Sequence, residues 1–274
     1  MPESRATDLP GRESGLMNVF RAAVTACALA GAGLVLAAVP ATSALASTGT
    51  TVGQTGTPMS NVRFIGRFED VQADAAMPSG GLVTSFQTQS SSCSAVQGVY
   101  DFQVLRPLGG NQYRVLGDTG NQTDPCDSQL HSYPVSIPVQ AGDVIGVYVV
   151  SSWQGVLNFS GIREAAGIPQ PAVGDTITVE QSSGTIDESA TLVSAGELAA
   201  TLVSDVTGVG PGTALFDKAT AIQTAVTAGD TSTACAGITD FLGLVNAQTG
   251  KKLTMAQAGQ LTTDADNLAA ALGC

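Results

Sequence analysis

The chain carries little charge, and almost none of it is lysine. Charged residues fill 12% of 274 positions, with 11 Lys+Arg against 23 Asp+Glu, a formal net charge of −12 and a pI near 4.2. Lysine occurs only as Lys218, Lys251 and Lys252. A surface this acidic repels phosphate backbones, which argues against nucleic acid as a partner. No basic amphipathic face is present for anionic lipid; the Lys251-Lys252 pair reads as a solvated interhelix loop. Histidine occurs once, as His131, so any Ser-His-Asp or His-metal mechanism has to run through it. It lies in or beside a strand, in Leu130-His131-Ser132-Tyr133, and no G-x-S-x-G elbow accompanies it. Glutamates of the β region (Glu69, Glu164, Glu180, Glu188) have no neighbours diagnostic of a glycosidase carboxylate pair. These shortages predict a protein that is not an enzyme.

Only one long apolar run exists. Met17-Asn-Val-Phe-Arg21 is a short basic start, Ala22–Pro40 is built mostly of Ala, Val, Leu and Gly, and Ala44-Leu45-Ala46 is the small-x-small triplet that a signal peptidase cuts after. The run approaches the roughly 20 residues of a membrane anchor, but the triplet just past it favours cleavage. Residues 1–46 therefore read as a signal peptide, with Met17 a candidate start because 1–16 are polar. Val24-Thr25-Ala26-Cys27 resembles a lipoprotein box, but its apolar core follows the cysteine instead of preceding it. The expectation is a secreted protein, extracellular or associated with the cell wall, with no membrane segment after cleavage.

Of five cysteines, Cys93, Cys126, Cys235 and Cys274 remain after that cut, an even number suited to two disulfides in an exported chain. Close C-x₂-C spacings, which a zinc site wants, are absent. Three pairings are open in principle. The two-domain organisation below favours 93–126 and 235–274. No cofactor is expected.

Residues 47–61 read as a disordered linker and about 62–196 as β. Leu82–Thr88 follows Gly80-Gly81. Gly98–Val104 alternates, with Tyr100, Phe102 and Val104 on one face, and Asn111–Leu116 returns after a turn over Leu105-Arg106-Pro107-Leu108-Gly109-Gly110, which predicts a hairpin. Tyr133, Val135, Ile137 and Val139 alternate with Pro134, Ser136 and Pro138; proline cannot donate to a ladder, so this is an edge strand or one with its N–H groups facing out. Val144–Val150 suits a buried strand, and Leu157–Ser160, Thr176–Glu180 and Ala190–Ser194 are further candidates. Many short strands between Gly/Pro/Asn turns predict an antiparallel β-sandwich or jelly roll.

From Glu197 the period becomes helical. Leu198, Leu202 and Val206 share one face of a first helix. Thr213 is a candidate cap for a second, with Leu215, Ala219, Ile222 and Val226; Asp230 caps a third, with Cys235, Ile238, Leu242 and Val245. Thr254-Met-Ala-Gln257 is a capping box for a fourth, which buries Ala258, Leu261, Ala265, Leu268 and Leu272. Residues 197–274 thus form a small antiparallel bundle after the β domain. Short-linked antiparallel helices bring the first turn of the third against the last turn of the fourth, where Cys235 and Cys274 stand. Thr185–Ser189 and Gly208–Gly212 are the candidate hinges.

Two resemblances accompany this reading. Gly210-Pro-Gly-Thr-Ala-Leu-Phe-Asp-Lys218, Ala234-Cys235, Phe241, Val245–Thr254, Ala256-Gln-Ala258 and Leu272-Gly-Cys274 resemble the FIMAH-type helical domain appended to exported bacterial proteins. That resemblance implies a helical appendage and no activity. Val104-Leu-Arg-Pro107, Gly109-Gly110, Tyr113–Gly117 and Pro138–Gly146 resemble an uncharacterised β-sandwich domain of secreted actinobacterial proteins.

Two candidate sites follow. Trp153, just after the most apolar strand, with Tyr133 nearby, is a candidate aromatic platform for a sugar face. Asp118, Asn121, Asp124 and Asp127 cluster oxygen ligands that suit Ca²⁺, without EF-hand spacing. The leading expectation is a non-catalytic structural or binding protein whose sandwich takes a glycan or cell-surface ligand. The alternatives are a secreted hydrolase using His131 or a carboxylate pair, and an assembly subunit without a small ligand.

Overall fold

The computed structural model describes residues 49–58, 64–65, 67–90, 97–153, 156–158, 162–181, 185–210 and 212–274. Sixteen strands among these precede four helices. The strands are β1 (Thr50–Gln54), β2 (Phe64–Ile65), β3 (Phe68–Ala76), β4 (Gly81–Gln89), β5 (Val99–Gly109), β6 (Gln112–Asp118), β7 (Gln122–Thr123) and β8 (Leu130–Val139), followed by β9 (Val144–Val149), β10 (Ser152–Trp153), β11 (Val156–Asn158), β12 (Ile162–Ala166), β13 (Thr176–Thr178), β14 (Glu180–Gln181), β15 (Thr185–Ile186) and β16 (Glu188–Ser194). Every named strand pair is antiparallel.

Two sheets carry the fold. A four-stranded sheet runs β1-β16-β4-β8, and a larger one runs β13-β6-β5-β9-β3-β12-β14, with β7 beside β5. Their facing side chains make one core: Val52, Val83, Phe86, Ile137, Val139, Ala190 and Leu192 from the first meet Phe68, Tyr100, Phe102, Val104, Ile145, Val147 and Val149 from the second. This is the predicted antiparallel sandwich. Pro134 and Pro138 stand on β8, an edge strand, as their missing donors require. The β5–β6 hairpin closes through Gly109, Gly110 and Asn111, all at positive φ. On its outer face the larger sheet holds a second cluster of Val71, Leu105, Tyr113, Val115, Val144, Ile177 and Val179.

Three expectations are corrected here. Residues 50–54, inside the expected linker, form β1 on the sheet edge, because Val52 has a core position to fill. Phe68–Ala76, not singled out in the sequence, is a strand of the larger sheet; its acidic residues conceal the apolar signal of an element buried on both faces. Thr185–Ser189 is no hinge, since Ile186, Asp187, Glu188 and Ser189 are all buried within strands or between them.

The helices are α1 (Ala195–Asp205), α2 (Ala214–Thr227), α3 (Thr231–Gln248) and α4 (Met255–Leu272). Strand β16 passes directly into α1 through Ser194, whose capping box with Glu197 satisfies the first turn. Thr254 and Gln257 make the second such box, and Asp230 caps α3 by accepting from the Thr233 N–H. Thr213 precedes α2 but makes no cap bond; its hydroxyl donates to Asp217 instead. The buried stripe of α3 is Ala234, Ile238, Phe241 and Val245, one position round from the expected one. Cys235 is left at the rim of the helix interface, where it forms the expected disulfide with Cys274 across a Cα–Cα distance of 5.5 Å. Among the described residues no helix is long and apolar enough to cross a membrane.

Candidate functional site

The sandwich opens along one rim, where β6 of the larger sheet passes β8 of the smaller. Gly117 makes this approach possible: a Cβ there would meet the Ile137 side chain at 2.9 Å. Above Ile137 lies an open groove of about 410 Å³ lined by Leu116–Thr119 of β6 and the turn after it, by Pro134–Pro138 of β8, and by Val173. Leu116 and Val135 are half-buried and supply an apolar floor. Pro134, Ser136, Pro138 and Val173 are exposed along its sides. Asp118 is the one charged residue of the lining; it accepts from the Gly120 N–H at 3.0 Å. The Thr119 hydroxyl is turned inward, toward the Asp101 carboxylate at 3.1 Å.

A second polar feature is closed. Glu69 on β3, Tyr148 on β9 and Asp101 on β5 stand in register across the outer face of the larger sheet. Glu69 fits because its neighbour Gly146 has no side chain; a Cβ there would lie 3.2 Å from the Glu69 carboxyl. On the opposite face Asp70 and Gln72 follow Phe68 toward the core, and Glu188 comes from β16. Glu69, Asp70 and Glu188 are fully buried. Neither oxygen of Glu69 or Glu188 has a hydrogen-bond partner. Burial is the first cause that raises both carboxyls well above the ordinary glutamate range; Asp70 adds to each. Asp187 accepts from the Gly56 and Gln89 N–H groups, yet burial outweighs those bonds and pushes it up to about 7. Sequence reasoning passed over Glu69 and Glu188 as carboxylates without a diagnostic neighbour; no periodicity marks an acid held inside a sandwich.

The sequence-predicted residues fall elsewhere. Tyr133 is a core residue more than a platform: its ring packs edge-on to Tyr100 and beside Phe102, and its hydroxyl lies 2.7 Å from that of Tyr100. Trp153 contributes backbone to the β2–β10 pair, and its side chain lies outside the described residues. The expected calcium ligands do not converge. Asp118 and Asp127 close turns onto Gly120 and Gln129, Asn121 accepts from Gln170, and Asp124 accepts from the Ser90 hydroxyl and the Cys126 N–H. Asp118 and Asp127 serve the loop's own turns, Asn121 and Asp124 tie it to Gln170 and Ser90, and among the described residues no group of three or more His, Cys, Asp or Glu could hold a metal ion. His131 pairs with Asp127 at 2.8 Å on the surface, which holds the Asp127 carboxyl below its ordinary range. The other expected disulfide reaches outside the described residues at Cys93.

No protein-family model matches the chain, and no curated protein matches it.

Proposed function

We propose that the chain is an exported, non-catalytic binding protein of the cell envelope or extracellular space. Its ligand site is the β6–β8 groove, and a glycan is the class of ligand that fits. The observation that carries this reading is the groove itself: an open, mixed apolar and polar surface at the rim of a sandwich, framed by β6 and β8, each of which is hydrogen-bonded into its own sheet. Rigid framing of that kind keeps a binding surface preformed. Glu69 and Glu188, both fully buried acids, lie within the sheets and not in the lining of this groove.

Export is supported by the leader-like 1–46 segment and by the Cys235–Cys274 bond, a linkage typical of oxidising compartments. Strand β1 starts at Thr50, a few residues past the expected cut, so cleavage there leaves the folded unit whole. The FIMAH-type resemblance makes residues 197–274 an accessory domain, and a four-helix unit tied by one disulfide accords with that.

The test is retention of the purified protein on insoluble polysaccharides and isolated bacterial cell wall, with Ser136→Trp as the blocking variant and the thermal midpoint as folding control. Retention that Ser136→Trp lowers about tenfold or more supports the reading. Equal retention by the variant moves the ligand site away from the groove, and no retention on any material removes the glycan.

A further inference from the structure

The space between the two sheets holds oxygen atoms that lack partners. Glu188 is fully buried, and neither of its carboxyl oxygens has a hydrogen-bond partner. The side-chain oxygen of Gln72, a residue only 7% exposed, has none either. Along β3, Phe68 packs in the shared core and Val71 in the outer cluster, so Asp70 and Gln72 alternate onto the core side with Phe68. From the facing sheet, Glu188 alternates with the core residues Ile186 and Ala190. One contact ties the two strands closely: a Cβ on Gly53 would lie 2.5 Å from the Glu188 carbonyl and 2.6 Å from the Ile145 side chain, and Ile145 stands opposite Gln72. Asp70 is the neighbouring charge that acts most strongly on Glu188. Among the described residues the ion pairs are Arg106–Asp143, His131–Asp127 and Lys218–Asp240, and none involves Glu188.

Buried charges in folded proteins are paired or coordinate a metal, and a buried oxygen without a partner calls for one. We infer that Glu188, Asp70 and Gln72 form a calcium site that ties β16 to β3 across the interior of the sandwich. The ligand set is two carboxylates and an amide oxygen. Two carboxylates balance one divalent cation, so the filled site is neutral and cheap to bury. These are the hard oxygen donors that Ca²⁺ takes, and its flexible coordination lets backbone carbonyls complete the shell, whereas Mg²⁺ gives up its waters reluctantly. None of the three residues lines the β6–β8 groove, so the site acts on the cohesion of the two sheets and stands apart from ligand choice. Without the ion, Glu188 remains a buried orphan and weakens the fold.

The experiment measures the metal content of the purified protein, strips it with a chelator, and titrates Ca²⁺ or Mg²⁺ up to about 10 mM, past the range of extracellular calcium modules. Binding is read by calorimetry and by the thermal midpoint. Glu188→Gln keeps the size of the side chain and removes its charge; Glu69→Gln does the same on the opposite face of β3 and is the control. The expected result is one Ca²⁺ per chain in the wild type and in Glu69→Gln, with a midpoint rise of about 5–10 °C at a hundredfold excess over Kd. Mg²⁺ should bind at least about tenfold more weakly. Glu188→Gln should lose about a hundredfold in calcium affinity, and Gln72→Met, which removes an oxygen and no charge, about tenfold. A wild-type protein that carries no calcium as purified and takes up none after stripping overturns the inference. Calcium binding that survives both Glu188→Gln and Gln72→Met overturns it too, since the ion then sits elsewhere. An equal loss in Glu69→Gln also does so, because the effect is then one of overall charge. Should Glu188→Gln not fold, the Gln72→Met affinity decides alone, and the glycan groove is untouched by any of these results.

Discussion

At the residue scale the sandwich holds acids where apolar side chains would be expected, and this fixes how its stability responds to pH. Glu69 and Glu188 are buried without hydrogen-bond partners, and desolvation, reinforced by Asp70, raises both. A group whose folded pKa exceeds its unfolded value of about 4.5 holds its proton more tightly in the folded state. Its contribution is complete below that value and is lost as pH climbs through the folded pKa. Asp187, at about 7, has the same sign and loses its share across neutrality. The protein is therefore expected to be more stable at pH 5 than at pH 8, as read from thermal midpoints in matched buffers. Replacing one of these acids by an apolar side chain of similar size removes a buried orphan, so Glu188→Met should gain roughly 1–3 kcal/mol at pH 7 and flatten the pH profile. A profile that rises with pH would show that Glu69 and Glu188 are not the dominant titrating groups. Gly117 is the second residue with a specific prediction. Gly117→Ala presses a methyl onto Ile137 and should cost about 1–3 kcal/mol while distorting the floor of the groove, measurable as a lower midpoint with weakened ligand retention.

At the element scale, the parts of the fold legible in the sequence are those where a local rule decides. Alternation over Val99–Val104, turn glycines at 109–110 and prolines at alternate positions of β8 each have one structural meaning, and each is realised. So are the two capping boxes and the Asp230 cap, because the orphan N–H groups of a first turn demand a nearby acceptor. What escaped the sequence depends on tertiary surroundings. Strand β3 carries Glu69 and Asp70 next to Phe68 and Val71, a mixture that resembles a surface segment until a sheet covers both faces. The groove was equally hidden. The prolines of β8 point to an edge or to outward N–H groups, but nothing local says that β6 of the other sheet lies across from it. For α3, stripes one residue apart are nearly equal in Ala-rich sequence, and the structure buries Ala234 and leaves Cys235 partly exposed. The Cys235–Cys274 bond, 39 residues apart in sequence, ties α3 to the end of α4. Cys235→Ser should lower stability by about 3–4 kcal/mol, read as a lower denaturant midpoint with a steeper slope, because the unfolded chain loses its cross-link and exposes more surface.

At the scale of the whole molecule, sandwich and bundle are joined without a linker. Strand β16 becomes α1 at Ser194, the Ala195 N–H donates to the Gly80 carbonyl where β4 begins, and Gly80 lies close to both the Val139 carbonyl of β8 and the Ala271 carbonyl of α4. The strand that carries the groove at its middle thus reaches the bundle at its end. This continuity predicts that limited proteolysis spares residues 185–195 and that sandwich and bundle unfold in one transition; early cutting there would contradict it. Hydroxyl-radical footprinting of the purified protein with and without bound polysaccharide locates the ligand. Protection confined to Leu116–Thr119, Pro134–Pro138 and Val173 is the expected result. Protection centred on Trp153 or on the helices, with these segments unchanged, would contradict it.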